Sequence, residues 1–424
     1  MLAHHFMEAD DLPRALDYLR RAAENSRRLF AVREELEQRE AIIKLVDRML
    51  ELPPATIIDA TLDWVTVRHR LNNYEGVLPR LETAISMARE SKDEARLGSA
   101  LSWIANVYMV TGFPSRSVPY LSESAEIARR LNNEQLLLLP LFFGTWSIVD
   151  RDPLQASEVL QEVIDIARAH NVIEVLGHAL AYKAIALARV GRFDEARGFI
   201  DEALEVEKVT TAPVKRADIH IGVAMALYDM DELDQGLEHA RQGAELAFNA
   251  RGLECACAGY YSVGRGKLEQ HRIEDALTDL GRSLSLAKDA KFEGYLNAID
   301  GSIAAAEFEM GRTSAVDRLR KATGNARELG DDYAASMLAL PLGRGLLKLG
   351  NTDGAREALA PAVEYFRTRG MSPYLAHALD LSADISEAAG DMAGARAARD
   401  EAMGLRTTLN IPAAGPASAE KAGV

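Results

Sequence analysis

GRFDEARGFIDEALEV, running from Gly191 to Val206, decides how the whole chain is read. A glycine is followed five positions later by a small residue, Ala196, and then by Ile200, Ala203, Leu204 and Val206 at helical rather than alternating spacing. The design returns as GRTSAVDRLRKATGNAREL from Gly311, GNTDGAREALAPAVEYF from Gly350 and GDMAGARAARDEAMGL from Gly390. Working outward, the small or β-branched column falls at Val77, Val118, Ala156, Ala196, Gly236, Ala276, Val316, Ala355 and Ala395, with gaps of 41, 38, 40, 40, 40, 40, 39 and 40 residues. A second column lies twelve residues upstream, at Gly144, Ala184, Ala224, Gly264, Ala304, Gly343 and Ala383. A third lies seven residues downstream, at Ala84, Ala125, Ala203, Ala362 and Ala402, with Gly243, Ser283 and Thr323 elsewhere. Short side chains at fixed places mark helix crossings, because two helices approach closely only where one side chain is small.

The unit is therefore a helix of about 18 residues, a tight turn, a similar helix and a loop. Glycines 112, 191, 311, 350 and 390 suit the left-handed end of a first helix. Pro213 and Pro373 suit the first turn of the next one. The expected fold is all-α, a right-handed α-solenoid of helix-turn-helix repeats with a period of about 40 residues. About nine repeats fill residues 54–408, irregular helical repeats fill 1–53, and residues 409–424, rich in Ala, Pro and Gly, form a disordered tail. The first helix, from Leu2 to Glu8, is short and uncapped, and leaves Leu2, Phe6 and Met7 with little to cover them. That points to a domain missing upstream.

The small-residue columns and their twelve-residue spacing resemble the tetratricopeptide (TPR) repeat. The departures are a period of 40 instead of 34, and the absence of that family's regular Trp and Tyr. Long-period repeats of this kind are similar to the C-terminal arrays of bacterial signal-transduction ATPases with numerous domains, LuxR-like or cyclase-linked. The segment LAHHFMEADDLPRALDYLRRAAENS resembles the junction ahead of such an array. The resemblance implies a partner-binding concave groove lined by the first helix of each pair, and an upstream ATPase or effector domain as a further partner.

Composition narrows the function. The 424 residues carry 49 Lys plus Arg against 64 Asp plus Glu, a formal charge of −15, which disfavours direct nucleic-acid binding. Two cysteines build no disulfide framework. The longest apolar run, Leu136 to Phe143, is far below the roughly 20 residues that span a bilayer, so a cytoplasmic address without membrane contact is expected. The VGRGK at Val263 to Lys267 lacks the spacing and the Ser/Thr of a phosphate loop and sits in a helical pattern. Cys255 and Cys257 read as small buried residues. The nine histidines make no metal-ligand spacing. No catalytic residue, cofactor or metal is expected, and the chain reads as no enzyme.

Counting 15, 11, 8 and 7 residues back from the principal column carries over the family's groove positions. They give Trp103, Arg189, Tyr228, Tyr261, Arg265, Phe308, Arg344 and Lys348 as candidate contacts, beside Ile221, Met225, Asp229, Leu268, Glu269 and Glu309. Arg and aromatic side chains are favoured at interface hot spots. Guanidinium groups suit a peptide C-terminus or acidic side chains. The expected function is a non-enzymatic interaction or sensor array, the ligand- or partner-binding region of a bacterial signalling or transcriptional regulator, taking a peptide, protein or small inducer. The alternatives are a stand-alone peptide-pheromone receptor or adaptor, and an enzyme built on a helical repeat.

Overall fold

The computed structural model describes residues 2–410 except 30, 50, 72, 112, 113 and 291, so the expected tail beyond 410 and the expected turn at Gly112 lie outside the described residues. The helices are α1 (Leu2–Glu8), α2 (Leu12–Arg28), α3 (Val32–Val46), α4 (Pro54–Arg70), α5 (Val77–Glu90), α6 (Glu94–Val110) and α7 (Pro114–Arg130). They continue as α8 (Glu134–Ile148), α9 (Pro153–Ala169), α10 (Ile173–Arg189), α11 (Phe193–Val209), α12 (Pro213–Asp229), α13 (Leu233–Asn249) and α14 (Leu253–Glu269). The last are α15 (Ile273–Asp289), α16 (Glu293–Glu309), α17 (Ala315–Glu328), α18 (Asp332–Lys348), α19 (Thr352–Thr368), α20 (Ser372–Ala388) and α21 (Met392–Leu409). No strand occurs among the described residues, and helices pack in consecutive pairs, as in α4–α5, α6–α7, α10–α11, α12–α13, α18–α19 and α20–α21. No described helix is long and apolar enough to cross a membrane.

The chain divides into two compact units. Unit 1 comprises Met1–Gly144 with the short segments Arg251–Glu254 and Ala290–Gly294. At its start, Phe6 stacks on Tyr18 of α2 with ring centroids 5.2 Å apart. Phe6 and Met7 are half-buried against a core that includes Ala15, Leu16 and Leu19, so these two side chains are covered, contrary to expectation. Further on, Ile58, Leu81, Leu101 and Ile104 are fully buried. Here the small-residue register differs from the expected one by a residue. Val118 is 47% exposed, whereas Ser117 and Ser124 are fully buried. Ser124 Oγ donates to Gly98 O at 2.8 Å and lies 2.8 Å from Ser102 Oγ, which lets a hydroxyl occupy the crossing of α6 and α7 at no polar cost. Asn106 on α6 is also fully buried, and neither polar atom of its amide has a partner.

Unit 2 comprises Thr145–Ala250, Cys255–Asp289 and Tyr295–Val424. Its expected columns are buried: Ala184, Ala196, Ala224, Ala276, Ala304, Ala355 and Ala383 have no exposed surface. Glycines extend the close approaches. A Cβ on Gly259 would lie 2.7 Å from Ala244 Cα on α13, closer than two carbons approach. Gly191, Gly311, Gly350 and Gly390 all take left-handed φ values, from +76° to +86°, and so end the first helix of their pair. Pro213 opens α12 and Pro373 lies in the first turn of α20, as expected. Asp331, Asn351 and Asp391 cap α18, α19 and α21, each accepting from a backbone amide three residues on. Within unit 2 the first helix of the α10–α11 pair reaches α20. Leu409, at the end of α21, sits directly against Gly191, in space that a side chain there would need.

Candidate functional site

In unit 2 a polar cluster joins the C-terminal ends of α10 and α12 to the first turns of α18 and α20 and to α19. Its centre is Arg189, at the last position of α10 and only 1% exposed. Its Nη1 donates to Val149 O at 3.0 Å and to the Asp150 carboxylate, and its Nε lies 3.4 Å from Asp229 Oδ2. Its guanidinium stacks over the Tyr333 ring, 4.4 Å from the centroid. Tyr374 donates its hydroxyl to Asp229 and lies 3.1 Å from the Tyr333 hydroxyl. Tyr365 donates to Asp150 O at 2.7 Å. Three tyrosines from α18, α19 and α20 thus close on an ion pair set by α10 and α12. Desolvation works against the Arg189 charge, but the phenols and carboxylates around it outweigh that and raise its pKa. Burial raises the pKa of Asp229 and pushes Tyr333 up to about 12.

Arg265, on α14, is half-buried, and neither a hydrogen bond nor an ion pair engages it among the described residues. Tyr261, Tyr333, Tyr374 and Asp229 surround it electrostatically and, against its desolvation, raise its pKa. Tyr261 lies one turn back on the same helix, half-buried, its hydroxyl likewise without a hydrogen bond. Arg344 of α18 is exposed and also unpaired among the described residues. Lys348, one turn on, is held by both Glu309 carboxylate oxygens at 2.7 and 2.9 Å. Burial, with Arg344 and Arg406 adding to it, lowers the pKa of His377 on α20 against the pull of Glu269 and Asp231.

Of the eight side chains picked from the sequence, the structure groups Arg189, Tyr261 and Arg265 about one centre. Two of the others are taken up by packing between repeats. The Tyr228 ring lies 2.7 Å from where a Cβ on Gly236 would stand, fills the space beside Gly266, and donates its hydroxyl to Ser262 O at 3.2 Å; burial pushes its pKa up to about 12. Phe308 is 8% exposed, against Val316 and Gly345. Both stand eight residues before the small column, so that position faces the next repeat. Trp103 belongs to unit 1, where it packs on His69 and Phe143 with centroids 5.3 and 6.1 Å away. Because Ser117, not Val118, is buried at the crossing, the inward positions of this repeat fall on Ser102 and Asn106 instead of Trp103.

Two groupings had no sequence signal of their own. His220 of α12 and His239 of α13 approach to 3.0 Å between Nδ1 atoms, one ring donating to the other. Burial lowers both pKa values, and Glu207, 3.7 Å from His220 Nε2, is held by Arg216 at 2.5 Å. Among the described residues no group of three or more His, Cys, Asp or Glu could hold a metal ion. In the other grouping, His178 of α10 stacks on Trp146 and meets the Tyr182 ring edge-on at 4.7 Å. Asp218 stands 3.7 Å from His178 and 3.1 Å from Lys215. Burial lowers the His178 pKa to about 4. Cys255 and Cys257 are buried, as expected. Lys267 of the glycine-rich VGRGK segment pairs with Asp279 at 2.5 Å, inside a helix pair.

Consecutive hairpins of this length, joined by left-handed glycine turns and crossing at Gly and Ala, define one architecture. The fold is a TPR-like helical repeat. A family model described as anaphase-promoting complex subunit 5 matches residues 3–109 and 118–208 of this repeat chain, under half of it. No curated protein matches it by sequence. Among solved structures it is similar to a Rap protein complexed with competence and sporulation factor, with 15% identity, a TM-score of 0.53, and coverage of 95% of this chain and 99% of that one. The apo form of the quorum sensor NprR from B. thuringiensis shares 11% identity at a TM-score of 0.52, over 84% of this chain and 99% of that one. Aspartyl phosphate phosphatase F from Bacillus subtilis shares 14% identity at a TM-score of 0.50, over 87% and 98%. At these identities the likeness is one of fold.

Proposed function

We propose that this chain is a non-enzymatic, cytoplasmic interaction or sensor array, whose inward wall in unit 2 receives a peptide, protein or small inducer on behalf of a bacterial signalling or transcriptional regulator. The observation that carries the reading is the unspent chemistry of that wall. Arg265, Tyr261 and Arg344 keep polar donors that the fold itself does not use, and Arg and Tyr are the residues from which interface hot spots are built. A guest acts by binding one arrangement of the repeats better than another. In the first reading the array serves an upstream ATPase or effector domain, as in the signal-transduction ATPases that the sequence resembles.

A second reading, a stand-alone peptide-pheromone receptor, is supported by the length match. The Rap protein with its bound factor and the quorum sensor NprR are each covered to 99% by this chain. The test uses the purified full chain, assayed for ATP hydrolysis and for retention of immobilised peptides. Retention that is lost in Arg344→Ala and Tyr261→Ala, with helicity unchanged, is expected. Turnover of ATP, or retention untouched by both variants, refutes the assignment.

A further inference from the structure

In unit 2 one first-helix position faces the gap between consecutive second helices. Thirteen residues before the small column, α10, α12, α14, α16 and α18 carry Lys183, Val223, Val263, Ile303 and Leu342. Ile303 is half-buried and the others are at most 8% exposed. At the α9–α11 step Lys183 donates to Gln161 Oε1 at 2.5 Å and lies 4.8 Å from the Phe199 ring centroid, so three long side chains close the gap. At the α19–α21 step the same three places hold Ser382, Ala360 and Ala398. All three are short, and a pocket of about 170 Å³ lies between α19 and α20. Leu359, Val363 and Ile385 give it apolar walls, Ser382 and Ala360 line it at the shortened places, and the remaining lining is charged. The Ser382 hydroxyl makes no hydrogen bond among the described residues.

Protein interiors are close-packed, and the buried Leu342 shows that this repeat accommodates a leucine at the Ser382 place. An apolar cavity of about 150 Å³ holds a benzene ring. Small-molecule sites join apolar walls to a few placed polar groups, a serine hydroxyl among them. We propose that the pocket between α19 and α20 binds a small aromatic molecule with one hydroxyl group, its ring against Leu359, Val363 and Ile385 and its hydroxyl on Ser382 Oγ. Most of the lining belongs to α19, a second helix, so this site stands apart from the inward wall and does not rest on it. The same two helices hold the first repeats of unit 2, α19 through Tyr365 and α20 through Tyr374. A molecule seated between them therefore favours one arrangement of that closure over another.

Fluorine NMR of 4-fluorophenol titrated with the full chain tests the site, with 4-fluorotoluene as the probe that lacks the hydroxyl. Saturable binding of 4-fluorophenol is expected. Ser382→Leu, which places in the pocket the side chain that α18 already carries, should weaken it at least ten-fold. Ser382→Ala should weaken 4-fluorophenol several-fold and leave 4-fluorotoluene unchanged. No saturable binding at millimolar concentrations overturns the site, and so does binding that Ser382→Leu leaves intact. Equal affinity of 4-fluorophenol for the parent and Ser382→Ala overturns the role of the hydroxyl. If Ser382→Leu unfolds, Ala360→Leu fills the pocket from the α19 side and should bring the same loss. Hydrogen exchange at the end of α12 should slow when 4-fluorophenol binds, and exchange that ignores the ligand overturns the link to the closure.

Discussion

A methyl group added at Gly259 tests the close helix crossing on which the repeat rests. The new Cβ would lie 2.7 Å from Ala244 Cα, 2.9 Å from its Cβ and 3.0 Å from its amide nitrogen. Carbon atoms prefer about 3.5–4.0 Å, so α13 and α14 must separate by about 1 Å. The obstacles are mostly backbone, which has no rotamer to change. Overpacking therefore costs about 2–3 kcal/mol, the upper part of its usual range. Against this, alanine gains about 1 kcal/mol over glycine in a helix interior. Gly259→Ala should lose about 1–2 kcal/mol in net terms. Gly281, inside α15, is exposed with nothing within 4 Å of its added Cβ. Gly281→Ala receives the helix gain alone, about 0.5–1 kcal/mol. Urea unfolding of the full chain followed by circular dichroism compares the two. The midpoints should move in opposite directions, and a Gly259→Ala protein as stable as the parent would refute the close-crossing argument.

Three further perturbations probe other features. His178 titrates at about 4 when folded and near 6.5 when unfolded, so the unfolded chain binds the extra proton as pH falls. Stability at this site is complete above pH 6.5 and falls by about 3 kcal/mol on reaching pH 4; His178→Phe should remove that part of the urea midpoint's pH dependence, and an unchanged profile would contradict it. Asn106→Leu removes two buried polar atoms without partners and should stabilise the chain by about 1–2 kcal/mol, so a loss in the thermal melt would count against the burial. Tyr374→Phe deletes the hydroxyl that joins α20 to Asp229 and should cost about 1–3 kcal/mol; hydrogen exchange should rise in α20 and at the end of α12, and a uniform rise would argue against a local link.

The repeat was legible because its signal is local and repeated. Small residues at crossings and glycines at turns recur at a fixed step, and each is required by backbone contact. The slip at Val118 shows where the signal fails. Counting apolar residues favours valine, while a serine whose hydroxyl finds a carbonyl fits the same crossing. The inward wall was half legible. Period counting picks Arg189 as a groove contact, whereas the structure buries it and engages it with Asp150, Asp229 and Tyr333. It misplaced Tyr228 and Phe308, whose rings fill the space beside Gly266 and Gly345 one repeat further on. Those glycines were the available clue. The meeting of Tyr374 with Asp229, and of Tyr365 with Asp150, was beyond reach. It depends on how small rotations accumulate over several repeats, and no single repeat encodes that sum.

That accumulated rotation changes what kind of polymer unit 2 is. A stack whose members touch only their neighbours can peel from an end, one hairpin at a time. Here Leu409 rests on Gly191 and Tyr374 holds Asp229, so the last hairpins are fastened to the first. The zipper has become a hoop. Trimming α21 would unfasten α10 as well as shorten the row, and strain set at one place on the circumference can travel both ways round to reach any other.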